Sequence, residues 1–155
     1  MENLFNITSK LHDIYHRVLT ETPEEQLFVI PNSHKNNLFW NIAHALVTEQ
    51  LLIYKLSKLP MRLEDSLIDR YSKGTFPEEE VSAETVKKIA DALLLAPDWI
   101  KGDYEKGIFK EFNSYTTSAK VTLNCVEDAI AFNHFHLGLH YGTILGIKKI
   151  ISTGG

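Results

Sequence analysis

The chain has 155 residues, 44% hydrophobic and 23% charged, with a formal net charge of −4. That length buries a real core without a second module, so a single domain over residues 1–155 is expected, and the composition is that of an ordinary globular protein rather than a disordered or fibrous one. A mildly acidic chain without a Lys/Arg-rich run lacks the electrostatic footprint of a nucleic-acid partner, and no apolar run approaches the roughly 20 residues that span a bilayer.

Leu4, Ile7, Leu11, Ile14 and Val18 recur at helical spacing and predict a first helix to about Leu19 with that stripe buried. The segment takes an acidic residue at once and reads as an amphipathic helix, not a signal peptide; with Cys125 as the single cysteine, the expected compartment is the reducing cytoplasm. Thr22-Pro23-Glu24-Glu25 predicts a short helical turn with a threonine cap and proline at the first position, closed by Pro31 and Asn32. A second long helix is expected from about Lys35 to Lys58, with Leu38, Ile42, Ala45, Leu52, Leu56 and Leu59 on its buried side.

From Pro60 to Val81 the chain shows no long helical period and reads as a crossover that can span the domain end to end. Ser82 caps a third predicted helix lined by Val86, Ile89, Ala90, Leu93 and Leu94, which Pro97 is expected to kink or split. The segment FNSYTTSAKVTLN reads as loop, and a last helix runs from Cys125 to about Ile151. Four amphipathic helices and no convincing strand pair predict an all-α protein, a four-helix bundle with a long crossover between helices 2 and 3.

Seven histidines are distributed along this scaffold. His136 and His140, four residues apart, leave one face of the last helix a turn apart, and with His44 they offer three imidazoles to one divalent ion. The competing reading of each is a partly buried histidine satisfied by a carbonyl, and spacing alone leaves both open. His12 and His16 share the four-residue spacing but flank the predicted stripe and are expected to be solvated; His134 points about 200° away from its neighbour pair and is expected to be exposed; His34 lies in a polar loop. Asn41, Thr48 and Asn133 stand one turn from these histidines and are candidates to hold the outer ring nitrogens.

The segment NNLFWNIAHALVTEQLLIYKLSKLP, with Trp40 four residues before His44, and the segment HLGLHYGTI, with His136, His140 and Gly142, resemble the second and fourth helices of the DinB-like (YfiT-like) family of four-helix-bundle metalloenzymes. YSKGTFP and YTTSAKVTLNCVEDAIAFNHFH also resemble segments of that family, so the resemblance covers essentially the whole chain. It implies a divalent metal ion (zinc, nickel or iron) held by His44, His136 and His140, and frequently a homodimer. It further implies thiol-dependent transfer to small electrophiles, as in relatives that use low-molecular-weight thiols, or thiol-dependent isomerisation. Many relatives carry glutamate after the first histidine of the pair; this chain has Leu137, which puts any role of that carboxylate in doubt.

Three neutral imidazoles leave the full charge on such an ion, so a bound small-molecule thiol or water is expected to ionise near neutral pH. The leading expectation is a metal-dependent thiol S-transferase in which Cys125, read as a small packed thiol, has no part. The alternatives are a non-catalytic, stress-associated metal-binding bundle and a metal-dependent hydrolase using the same ligands.

Overall fold

The computed structural model describes residues 1–153 and is mostly helical. Helix α1 (Glu2–Glu21) has the predicted length, but the buried stripe is offset by one residue: Phe5, Thr8, His12, Tyr15 and Leu19 face the core, while Ile7 is exposed. Two polar residues on that stripe hide it from a hydrophobicity count, because each is buried only by virtue of a specific hydrogen bond. A short α2 (Glu24–Leu27) forms where the turn was expected, but Pro23 rather than Thr22 precedes its first residue and no side chain caps it.

Helix α3 (Leu38–Gln50) begins at an Asn37 cap, whose Oδ1 accepts from the Trp40 N–H at 2.7 Å. Every residue from Leu38 to Val47 is buried, so α3 is the central helix and its polar side chains must find partners. It continues into a π-helical turn, Leu51–Lys55, and the chain leaves the helical axis at Lys58, whose φ is 57°. The crossover contains a helix missed by the sequence reading, α4 (Asp65–Tyr71), which buries Leu67, Ile68 and Tyr71. Seven residues are too few for a visible period.

Helix α5 (Ala83–Glu105) starts at Ser82, whose hydroxyl accepts from the Thr85 N–H, and runs through Pro97 unsplit; Leu94 is exposed. The expected loop holds a small antiparallel hairpin, β1 (Tyr115–Thr116) against β2 (Thr122–Leu123), an addition to the all-helical expectation. Strands of two residues leave no alternation to read. Helix α6 (Val126–Ser152) matches its predicted bounds.

Helix α1 packs along α5 and α6, and α3 along α6 and α4. One core cluster gathers Tyr15, Phe39, Ile42, Leu46, Leu93 and Ile144, and a second gathers Phe5, Ile53, Ile100, Leu123 and Ile130. Among the described residues no helix is long and apolar enough to cross a membrane.

Candidate metal centre

The α3–α6 interface carries the site. His44 lies at mid-length of α3, His136 and His140 lie one turn apart on α6, and one ring nitrogen from each falls within 4.8 Å of the other two. The imidazole centroids are 4.6 Å apart for the α6 pair, and His44 lies 4.9 Å from His140 and 5.6 Å from His136. No other group of three histidine, cysteine or carboxylate side chains converges in this way among the described residues.

Two of the rings are oriented by their outer nitrogens. His44 Nδ1 is 2.7 Å from the Tyr71 carbonyl, which only accepts, so Nδ1 carries the proton and Nε2 holds the free lone pair. Trp40 stacks on the same ring at 4.5 Å and 8° between planes, the physical content of the Trp-x-x-x-His spacing. Trp40 Nε1 in turn donates to Thr75 Oγ1, so α3 grips both the last residue of α4 and the chain after it; Arg70, paired with Glu78, braces the same segment. His140 Nδ1 donates to Asn41 Oδ1 at 2.9 Å, and Asn41 Nδ2 donates to the Asn37 carbonyl, which fixes the amide orientation. Metal-ligating histidines are held in this manner.

His136 differs. Its Nδ1 is buried with no hydrogen-bond partner, an unmet group that costs about 1–3 kcal/mol in a protein interior. A cation or ligand bound beside it would relieve that cost. All three rings are kept neutral, the form that ligates: burial, then the neighbouring imidazoles, push His136 down to about 3; burial and His44 push His140 down to about 4; His44 is lowered chiefly by burial. Converging unprotonated nitrogens, outer acceptors on two rings and an orphaned nitrogen on the third fit a divalent ion.

Of the three outer-partner candidates, Asn41 reaches His140, and Thr48 Oγ1 stands 3.4 Å from His44 Nε2. Asn133 does not serve the site: its Nδ2 donates to Glu49 at 2.7 Å. The partners missed by the sequence reading are Tyr71 and Thr75, both within the YSKGTFP segment; a backbone acceptor leaves no side-chain signal.

The remaining histidines lie outside this cluster. His12, expected in solvent, is 1% exposed, because Nδ1 meets the Leu93 carbonyl and Nε2 the Glu49 carboxylate, both at 2.9 Å. His134, expected to be exposed, is half-buried against Thr8. His34 meets its neighbour Ser33. Leu137 is 1% exposed and faces the core, while its carbonyl accepts from Tyr15 Oη at 2.7 Å. Cys125 lies apart from the histidines in a cleft with Tyr104 and Glu127; burial raises its thiol pKa, so the start of α6 does not activate it.

A cavity of ≈ 310 Å³ opens onto His44 and His136. No curated protein matches the chain. The family model of the DinB superfamily matches residues 8–144.

Proposed function

The chain belongs to the DinB superfamily, and we propose that it is a metal-dependent enzyme that transfers a small thiol to an electrophile at His44, His136 and His140. The observation that carries this reading is the convergence of three neutral imidazoles beside an open cavity. Zinc, nickel and iron(II) all suit the donor set, and when bound such an ion supplies the charge that lets a thiol ionise near neutral pH. Tyr71 and Asn41 hold the His44 and His140 rings so that their Nε2 lone pairs stay directed inward. Trp40 covers one face of His44 against solvent. In the reaction the thiol gives its proton to water, the sulfur lone pair forms a bond to the electrophilic carbon, and the leaving group departs with the electrons of its own bond.

The same reading takes the four long helices α1, α3, α5 and α6 as the family's bundle, with residues 60–81 as the crossover, and the molecule as a homodimer in the cytoplasm. Phe135, Leu139 and Leu145 lie exposed along one face of α6, beside Gly138, Gly142 and Gly146, where an added Cβ meets nothing. Such an apolar helical face suits a second copy.

Protein loaded with cobalt(II) tests the chemistry. Cysteine added to it should produce a sulfur-to-cobalt charge-transfer band, and with a chloroarene the thioether should accumulate with release of chloride. No band and no thioether would refute the transferase, and turnover of an ester without any thiol would replace it with a hydrolase.

A further inference from the structure

The cavity beside the histidines has a charge pattern unlike the rest of the molecule. The chain is acidic, with a net charge of −4, yet the cavity is lined by Lys55 and Lys73 and by no carboxylate. Among the described residues neither ammonium is in an ion pair, although all three lysines on α5 are. Lys55 ends the π-helical turn that continues α3, a distortion frequent at functional sites, and Lys73 lies between Tyr71 and Thr75, the two residues tied to α3 by His44 and Trp40. Lys73 is near enough for its charge to reinforce the lowered pKa that burial gives His44.

The other walls divide by chemistry. Leu51, Leu52, Leu56 and Phe132 form an apolar side. The hairpin segment adds three hydroxyl-bearing residues, Tyr115, Thr117 and Ser118. Thr117 is buried, and its oxygen accepts from the Val121 N–H, which leaves its proton available to an incoming acceptor.

We propose that this cavity binds a small amphiphilic carboxylate, its headgroup at Lys55 and Lys73 with the Thr117 hydroxyl, its stem on the leucines and Phe132, and its reacting end toward His44 and His136. Two cations and no anion select for negative charge, and the apolar wall selects for a stem that free phosphate or chloride lacks. The placement of the reacting end rests on the metal-dependent reading above; the charge selection does not.

The test uses the full chain, stripped of metal by a chelator, titrated by calorimetry with hexanoate, hexanol and hexylammonium. Hexanoate is expected to bind, with hexylammonium undetectable, and the double variant Lys55→Met/Lys73→Met to bind hexanoate about tenfold or more weakly at unchanged thermal midpoint. Both positions are exposed, so the fold is expected to tolerate them. His140→Ala should bind hexanoate as wild type does, which separates the anion site from the ion. Equal binding of hexanoate and hexylammonium, or undiminished hexanoate binding in the double variant, would overturn the proposal. Hexanoate selectivity in a protein that takes up no zinc would keep the anion site and remove the metal reading alone.

Discussion

His12 Nδ1 lies 2.9 Å from the carbonyl of Leu93, the one residue of α5 whose helical acceptor role Pro97 cancels. Proline has no N–H to return to the carbonyl four residues earlier, so in an isolated helix the Leu93 oxygen would be orphaned. His12 fills that vacancy from α1, and its other nitrogen meets Glu49 of α3, so one imidazole ties three helices. This explains both why α5 continues through Pro97 and why a histidine occupies the core face of α1.

Removing that imidazole orphans the Leu93 carbonyl and leaves Glu49, which is fully buried, with the neutral Asn133 amide as its remaining partner and no group to balance its charge. His12→Leu is therefore expected to cost about 3–5 kcal/mol of stability by urea unfolding. In a Pro97→Ala background the backbone N–H returns, and the cost of His12→Leu should shrink by about 1 kcal/mol. Strict additivity in this double-mutant cycle would refute the link.

The histidines should titrate in two opposed groups. Burial lowers the His12 pKa, but the Glu49 carboxylate outweighs it and the net shift is upward from 6.5. Stability from His12 is thus fully present below 6.5 and is lost as pH rises through its folded value. His136 and His140, pushed down to about 3 and about 4, act in the reverse sense: the unfolded chain binds protons below 6.5 that the metal-free fold refuses, so their contribution falls as pH drops from 6.5 toward 4. NMR of the metal-free protein should show His12 charged, and His136 and His140 neutral, at pH 6. The opposite assignment would contradict the burial argument.

Asn41 is fixed by Asn37 and accepts from His140. Asn41→Ala should weaken zinc binding by about 10–100-fold in a chelator competition, while Asn41→Asp, which keeps the acceptor for His140 but loses the donor to Asn37, should restore part of it. Equal affinity in all three proteins would show that His140 needs no orienting partner.

Leu137 occupies the position where many relatives carry glutamate, and here it points into the core. Leu137→Glu would bury a carboxyl with no cation beside it and is expected to destabilise the protein by about 3 kcal/mol or more, read by thermal or urea unfolding. A stable, acid-tolerant variant would mean the helix can turn that position to solvent.

The exposed α6 face gives a separate test of assembly. Leu139→Glu should convert a dimer to a monomer by light scattering without lowering the thermal midpoint of the monomer. A wild-type monomer at tens of micromolar would remove the homodimer.

The four long helices, the bounds of α6 and the convergence of the three histidines were legible because each leaves a side-chain signature at a regular spacing, as from Trp40 to His44 and from His136 to His140. What escaped was held by backbone or by pairs distant in sequence. The Tyr71 carbonyl that orients His44 has no residue-type signal, and α4 is too short to show a period. The core face of α1 was misplaced because Thr8 and His12 count as polar until their partners, the Leu4 carbonyl for one and Leu93 and Glu49 for the other, are in view.

The most direct test is metal analysis of freshly purified wild-type protein beside His140→Ala. The account predicts about one zinc, nickel or iron ion per chain in the wild type and a large loss in the variant at unchanged helicity. Wild-type protein without stoichiometric metal, or a variant that holds as much, would contradict it.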